Sequence, residues 1–125
     1  MIVGIGVDVV EIGRLRGVVE RQGERFLRRV FTRAEQEYCR SHRDPAPHLA
    51  VRFAAKEAVF KALGTGWAAG ISWLQVEVRR ANPGAPALLL EGEALNRCAS
   101  LGVAKTHVSL SHSDEVAIAM VVLEN

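Results

Sequence analysis

The sequence has little cysteine and no stretch typical of an export or membrane signal. Its two cysteines, Cys39 and Cys98, stand far apart and match no metal-binding spacing. The first apolar run has no preceding basic segment and is interrupted by Asp8, so it does not resemble a secretory leader. No apolar stretch is long enough to span a bilayer. We therefore expect reduced thiols, a cytoplasmic location and no membrane partner.

Aromatic residues and net charge are also low. Aromatic side chains make up 6% of the chain, and the formal net charge is +2 at pH 7. Nucleic-acid binding relies on a basic surface and often on stacking aromatics, so we expect no nucleic-acid partner. Arginine nevertheless supplies 13 of the 16 basic residues. Its forked guanidinium suits phosphate and carboxylate groups.

What the chain does contain is enough apolar material for one core. With 125 residues and 49% hydrophobic content, residues 1–125 are predicted to form a single domain. Apolar runs predict five strands, and helical periodicity with capping signals predicts helices between them. The predicted strands cover residues 2–10, 71–80, 87–90, 106–113 and 116–123. The predicted helices cover residues 12–30 with a break, 32–41, 48–63 and 91–101.

The helix predicted over residues 48–63 is the element around which the chain is organised. It is rich in alanine and leucine and carries Glu57 and Lys61 four residues apart, on one face. Arg52 and Lys56 lie on a neighbouring strip. Charged groups on a largely apolar helix are costly unless they are paired or bind something. Glu57 and Lys61 therefore form either an ordinary helical ion pair, worth about 0.2–0.5 kcal/mol, or part of a binding site.

An acidic residue, Asp8, lies near the end of the first apolar strand. A carboxylate in such a strand needs a partner. Two interpretations are open at this point. Asp8 either caps the following turn as a structural residue, or it is a ligand of a metal ion or substrate.

Four arginines follow this strand at spacings of seven, four and three residues: Arg14, Arg21, Arg25 and Arg28. On a continuous helix they would form one stripe, although three nearby glycines favour a break into two short helices. Between positions 14 and 33 there are seven arginines against two glutamates, a local excess of +5. A solvated face is one interpretation, but so one-sided a stripe in a nearly neutral chain favours an acidic partner.

Two further signals are weak when taken alone. The turn Gly64-Thr65-Gly66 lets backbone N–H groups approach a phosphate closely, but a plain helix C-cap has the same residues. His112 is predicted at the end of a strand in the last hairpin, where both structural and functional histidines occur.

The candidate residues together indicate one kind of chemistry. Two carboxylates, Asp8 and Glu57, suit a hard cation such as Mg²⁺, which uses one or two carboxylates plus substrate phosphate oxygens. Lys61 and Arg52 would neutralise the remaining phosphate charge. The residues therefore predict a phosphate-ester or pyrophosphate substrate.

The sequence also resembles the holo-[acyl-carrier-protein] synthase family of phosphopantetheinyl transferases. The resemblance covers essentially the whole chain in order, and its G-V-D and F-A-A-K-E-A-x-x-K-A motifs are highly specific. The segments that carry it are G-I-G-V-D-V-V-E-I, F-T-R-A-E, R-F-A-A-K-E-A-V-F-K-A-L-G-T-G and H-V-S-L-S-H-S. It implies an α+β fold in which antiparallel strands pack on a long central helix, and a homotrimer with active sites at subunit boundaries.

The resemblance also implies a reaction and roles for residues. The family moves the 4′-phosphopantetheine arm of coenzyme A (CoA) onto a serine of acyl carrier protein, a step that serves fatty acid biosynthesis. Asp8 and Glu57 would hold Mg²⁺ on the CoA pyrophosphate, and Lys61 would contact CoA and stabilise or protonate the leaving phosphate. The remaining contacts to the nucleotide end of CoA would come from Arg52, Gly64, Thr65, Gly66, His112 and Ser113. The acidic helix of the carrier protein would meet Arg14, Arg21, Arg25 and Arg28.

Two departures from the family pattern and one open role remain. The first hairpin has Gly84-Ala85-Pro86 where the family often has a basic residue between Gly and Pro, so we expect no basic contact there. Two-domain relatives carry a second acid where this chain has Val10. The base that accepts the serine proton is either Glu57, His112 or a water on Mg²⁺.

A different class of function is a non-catalytic basic module that docks an acidic protein or RNA. Such a module would not require Asp8 and Glu57 to converge on Lys61, and the low aromatic content disfavours RNA. We therefore predict an enzyme, a phosphopantetheinyl transferase, and not a binding module.

Overall fold

The computed structural model describes residues 1–65, 70–80 and 84–125. Its strands are β1 (Ile2–Glu11), β2 (Val76–Arg80), β3 (Pro86–Leu90), β4 (Lys105–His112) and β5 (Val116–Glu124). Its α-helices are α1 (Ile12–Gln22), α2 (Glu24–Val30), α3 (Arg33–Arg40), α4 (Ala46–Leu63) and α5 (Gly92–Leu101). Between the strands predicted over residues 71–80 and 87–90, residues 81–83 lie outside the described residues.

The strands form two antiparallel sheets. One has the order β1-β5-β4, and the other is the hairpin β2-β3. Asp8 lies opposite Ala119 on β5, and Ala119 lies opposite Leu110 on β4. Helix α4 packs along one face of the three-stranded sheet, chiefly against β1 and β5. The predicted α+β arrangement of antiparallel strands on a long central helix is confirmed.

The close packing of α4 on β1 explains two glycines of the first strand. A β-carbon at Gly4 would overlap the carbonyl oxygen of Ala62, and one at Gly6 would overlap that of Ala58. Only glycine fits where backbones approach this closely. Because side chains alternate along a strand, Asp8 projects from the same face as Gly4 and Gly6, toward α4.

Two predicted boundaries are wrong. Helix α4 begins at Ala46, not at residue 48, because Pro47 lies in the first turn, where proline is tolerated. The strand predicted over residues 71–80 begins only at Val76. A 3₁₀ turn over Trp73–Gln75 precedes it, in which the side chains of Ser72 and Gln75 form a capping box.

A buried ion pair links α4 to α3 and β2. Lys56 and Glu35 are both 0% exposed, with Nζ and Oε1 2.8 Å apart. Lys56 also donates to the backbone carbonyls of Trp73 and Val76, while Glu35 accepts from the backbone N–H of Val78. Burial is the main cause that lowers the pKa of Lys56, and the Glu35 charge opposes it. Lys56 therefore belongs to the core and not to the ligand site.

Among the described residues, no helix combines the length and apolar character needed to cross a bilayer.

Candidate active site

Asp8 and Lys61 meet between β1 and α4. Lys61 Nζ lies 3.1 Å from Asp8 Oδ1 and donates to the backbone carbonyl of Val7 at 3.0 Å. The Asp8 side chain is 19% exposed and that of Lys61 is 55% exposed. Lys61 thus pairs across to the strand instead of back to Glu57, so the ordinary helical ion pair is not what this helix forms.

Glu57 lies one turn before Lys61 on α4 and is half-buried. Its pKa is raised, first by burial and then by the negative charge of Asp8, while the charge of Lys61 acts in the opposite direction. The two carboxylates are therefore close enough to repel each other. Such a pair is stabilised by a cation placed between them.

The chemistry of this group fits a magnesium ion. No set of three or more potential protein ligands occurs in the part of the chain that the structure describes. Asp8 and Glu57 supply two hard oxygen donors, which is the number that Mg²⁺ typically takes from a protein when substrate phosphate and water complete its shell. The donor set thus suits a cation bound together with a phosphate substrate.

A cavity of about 400 Å³ opens beside Asp8. Its polar lining comes from Asp8, Glu11 and Arg14, and its apolar wall contains Phe26 and Phe53. The cavity therefore connects the acidic group to the first arginine of the predicted stripe.

The arginine stripe lies on α1 and α2, which are separated at Gly23 with a positive φ of 57°. All four predicted members are exposed: Arg14, Arg21, Arg25 and Arg28. Within residues 1–65, 70–80 and 84–125 none of the four forms an ion pair, whereas Arg16 and Arg40 each pair with a carboxylate. Arg29 was not predicted, but it lines a groove with Arg21 and Arg25.

Arg52 lies in a different pocket and is only 2% exposed. Its Nη1 donates to the carbonyl of His48 at 3.0 Å, and its Cζ lies 4.3 Å from the centre of the Tyr38 ring. Its Nε has no hydrogen-bond partner among the described residues. The pocket, of about 490 Å³, also contains Arg79 and Arg80 and shares no lining residue with the Asp8 cavity.

His112 and Ser113 lie at the end of β4. The His112 ring contacts His48, with centroids 6.0 Å apart, and not the acidic group. The Ser113 hydroxyl accepts from the backbone N–H groups of Glu115 and Val116, which fixes the turn into β5. His112 therefore belongs with the Arg52 pocket within one copy of the chain.

The glycine turn after α4 is described only in part. Gly64 has a left-handed φ of 74° and its N–H bonds the carbonyl of Lys61, as a C-cap does. The Thr65 hydroxyl is buried without a hydrogen-bond partner in the described residues. Gly66 lies outside them, so its predicted contact with CoA stays a prediction.

A ring cluster beside Arg52 was missed from the sequence. His42 and His48 stack with centroids 3.6 Å apart, and Tyr38 lies against His42 at 4.9 Å. The available signal was weak, since His42 and His48 flank a proline-containing loop and are six residues apart. Only the turn between α3 and α4 brings them together.

Comparisons with known proteins agree with this geometry. Residues 4–121 match the 4′-phosphopantetheinyl transferase superfamily. The holo-[acyl-carrier-protein] synthase of Maridesulfovibrio salexigens is 45% identical over 124 residues, which cover 99% of this chain and 99% of that protein.

Solved structures give the same result. The crystal structure of the holo-[acyl-carrier-protein] synthase from Neisseria meningitidis superposes with a TM-score of 0.89 at 32% identity, covering 100% of both chains. That of the Helicobacter pylori enzyme in complex with coenzyme A gives a TM-score of 0.84 at 32% identity, over 96% of this chain and 99% of that one. Sequence and fold thus agree along the whole length, and the chain belongs to the holo-[acyl-carrier-protein] synthase family of 4′-phosphopantetheinyl transferases.

Proposed function

We propose that this chain transfers the 4′-phosphopantetheine arm of CoA to a serine of acyl carrier protein, with the chemistry at Asp8, Glu57 and Lys61. The observation that carries the proposal is the meeting of these three side chains between β1 and α4. Two carboxylates and one lysine can hold a pyrophosphate through a bridging cation and a direct hydrogen bond.

The transfer makes one bond and breaks one. The serine oxygen bonds to the phosphorus that carries pantetheine, and the bond from that phosphorus to the bridging oxygen breaks. The bridging oxygen leaves as part of adenosine 3′,5′-bisphosphate, and the serine proton passes to a base. The Lys61 side chain, which is 55% exposed beside Asp8, donates a hydrogen bond to the leaving phosphate as negative charge develops on that phosphate. Glu57 is the base candidate within this group, whereas His112 lies against His48.

Asp8 and Glu57 are the residues that would hold Mg²⁺. When bound, the ion neutralises pyrophosphate charge and orients it for in-line attack. The contribution of the chain is to hold two carboxylates close together at a partly buried position, which raises the pKa of Glu57.

Arg52 is the proposed contact for a phosphate at the nucleotide end of CoA. A buried guanidinium with no carboxylate partner among the described residues is costly unless an anion approaches it. Arg79 and Arg80 line the same pocket; Arg79 pairs there with Glu77 at 2.6 Å, so the added positive charge comes from Arg80. This pocket and the Asp8 cavity share no lining residue. One CoA molecule would therefore bind in the Arg52 pocket of one copy and in the Asp8 cavity of a neighbouring copy.

The outer face of the three-stranded sheet supports assembly into a homotrimer. Its exposed residues are almost all apolar on β1 and β5, and they include Ile5, Val7, Val9, Ile118 and Met120. A contiguous apolar face of this kind marks a protein–protein interface. A sheet face used by every copy is suited to closed rotational symmetry.

The unpaired arginine stripe is the proposed docking surface for acyl carrier protein. The Asp8 cavity, which contains Arg14, lies between this surface and the reacting group. The chain is proposed to act in the cytoplasm, where its two cysteines, both free and buried, stay reduced.

The test combines the chain with apo-acyl carrier protein, CoA and Mg²⁺ and follows the intact mass of the carrier. We expect the mass to rise by one phosphopantetheine and adenosine 3′,5′-bisphosphate to appear in equal amount. EDTA or Glu57→Ala should abolish both. Full turnover in EDTA would contradict the metal assignment, and an unchanged carrier mass in Mg²⁺ would contradict the proposed function.

A further inference from the structure

Three of the four histidines of the chain form a cluster beside Arg52. The rings of His42 and His48 are stacked, with centroids 3.6 Å apart and planes inclined by 26°. His112 lies edge-on to His48, with ring centroids 6.0 Å apart. The carbonyl of His48 accepts from Arg52 Nη1, so the ring and the guanidinium are held one turn apart on α4. His48 is therefore the centre of the cluster.

The charges around His48 are almost all positive. The titratable and charged groups that face it are Tyr38, His42, Asp44, Arg52, Arg80 and His112. The one carboxylate among these groups, that of Asp44, already forms an ion pair. Both Nη atoms of Arg16 donate to the Asp44 carboxylate at 2.9 Å, and this holds the pKa of Asp44 below its ordinary value. The surroundings of His48 thus concentrate cationic groups, and the carboxylates nearby, Asp44 and the pocket-lining Glu77, are already paired with Arg16 and Arg79.

This arrangement makes His48 hard to protonate until an anion arrives. Burial, followed by the charges of His42, Arg52, His112 and Arg80, lowers the pKa of His48 to about 4. At neutral pH the ring is therefore neutral. A phosphate dianion beside Arg52 would offset the surrounding positive charge and favour the charged imidazolium.

We propose that the His42–His48–His112 cluster takes up a proton when a phosphate dianion binds in the Arg52 pocket, so that nucleotide binding is linked to pH through His48. This inference rests on the proposed function for the identity of the ligand, the bisphosphate end of CoA. It assigns to His42 and His48 a role that the sequence motifs do not indicate. The linked gain in phosphate affinity then appears below the pKa that His48 has in the complex, and it grows by up to about tenfold per pH unit for one linked proton as the pH falls toward 4.

The first test is calorimetry with adenosine 3′,5′-bisphosphate at pH 5, above the pKa of His48 in the free protein, in two buffers of different ionisation enthalpy. The difference in heat gives the number of protons taken up. The wild-type protein should take up more protons than His48→Phe, by as much as about one per site, because phenylalanine keeps the stacked ring but cannot be protonated. The proton equilibrium of the ligand itself is common to both proteins and cancels.

His107→Phe is the matched control. His107 is the fourth histidine, lies on the same strand as His112 and pairs with Glu124 at 2.9 Å, outside the cluster. It should behave as the wild type does. Replacing the ligand with 3′-dephospho-CoA should remove the excess proton uptake if the 3′-phosphate is the group bound beside Arg52. Retained uptake would assign the pyrophosphate to that position.

A second measurement needs only the wild-type protein and covers the case in which His48→Phe does not fold. Proton NMR of the imidazole C–H signals should show one histidine that titrates near pH 4 in the free protein and at least one pH unit higher with the bisphosphate bound. Equal proton uptake in all three proteins, or unchanged titration midpoints, would overturn the inference while transfer activity leaves the proposed function intact. Absence of bisphosphate binding to the wild type would overturn both.

Discussion

At the scale of single residues, substitution of Lys61 distinguishes a catalytic role of this side chain from a structural one. Its side chain joins α4 to β1 through Asp8, so a purely structural role would be expressed in stability. If Lys61 meets charge that develops on the leaving phosphate, Lys61→Met should lower kcat about 10²–10³-fold. CoA affinity should fall much less, because the ground-state pyrophosphate keeps its other contacts.

The measurement compares kcat, the Kd for CoA and the melting temperature on one preparation of Lys61→Met. Lys105→Met, at an exposed position on β4, is the control and should change none of them. A lower melting temperature with kcat intact would place Lys61 among the structural residues only.

Substitution of Glu57 should have opposite effects on stability and on activity. The folded-state pKa of Glu57 is raised, so the protonated form favours folding, and this contribution is lost as the pH rises through that pKa. Glu57→Gln should therefore raise the melting temperature near pH 7.5. The gain should be modest, below about 1 kcal/mol, because solvent screens a half-exposed charge. It should disappear toward pH 4, where the wild-type carboxyl is protonated.

Magnesium supplies the complementary measurement. In calorimetric scans with Mg²⁺ and CoA the wild type should gain stability, whereas Glu57→Gln should gain little, because ligand binding stabilises only a state that can bind. If Glu57→Gln is less stable than the wild type at pH 7.5, the contacts of the Glu57 carboxylate stabilise the fold by more than its burial destabilises it.

At the scale of elements, the close contact of β1 and α4 fixes the geometry of the site. Gly6→Ala should destabilise the protein by about 1–3 kcal/mol, because its β-carbon has no room beside the Ala58 carbonyl. Gly13→Ala is the control, since nothing lies within 4 Å of its β-carbon in α1. It should be neutral or stabilising by about 0.5–1 kcal/mol. Urea unfolding midpoints measure both, and equal midpoints would show that β1 and α4 can separate freely.

The arginine stripe on helices α1 and α2 should determine the affinity of the protein for acyl carrier protein. Arg21→Glu should raise the KM for acyl carrier protein severalfold and leave the KM for CoA nearly unchanged, because Arg21 is exposed and lines a groove that shares no residue with the Arg52 pocket. Arg33→Glu, at a residue whose side chain is 93% exposed on α3, should have little effect on either value. A change confined to the KM for CoA would move the stripe to the nucleotide site.

These elements also show what the sequence can and cannot predict. Helix α4, a break near the glycines between residues 13 and 23, and the last hairpin follow from local patterns. The apolar strand around Asp8 also predicts that this carboxylate needs a partner, but not that the partner is Lys61 on α4. The burial of Lys56 and Arg52 does not follow, because it depends on partners that lie far away in sequence, such as Glu35 for Lys56. The packing role of Gly4 and Gly6 depends likewise on the position of α4.

At the scale of the whole molecule, the two pockets raise a question of assembly. The acidic group and the Arg52 pocket share no lining residue, and an apolar sheet face remains exposed. Both features are explained together if neighbouring copies meet at this face and each active site takes Asp8, Glu57 and Lys61 from one copy and Arg52 and His112 from the next. The family resemblance likewise implies active sites at subunit boundaries, without assigning these residues to particular copies.

Complementation between two inactive variants tests this arrangement most directly. Glu57→Ala lacks one half of the site and Arg52→Met the other. When the two proteins are unfolded, mixed in equal amounts and refolded together, about a quarter of the interfaces should combine an intact half from each variant. The mixture should then recover about a quarter of wild-type transfer activity, measured by carrier mass, while each variant refolded alone stays inactive. A mixture that refolds to mixed oligomers and remains as inactive as its components would show that each copy carries a complete site of its own.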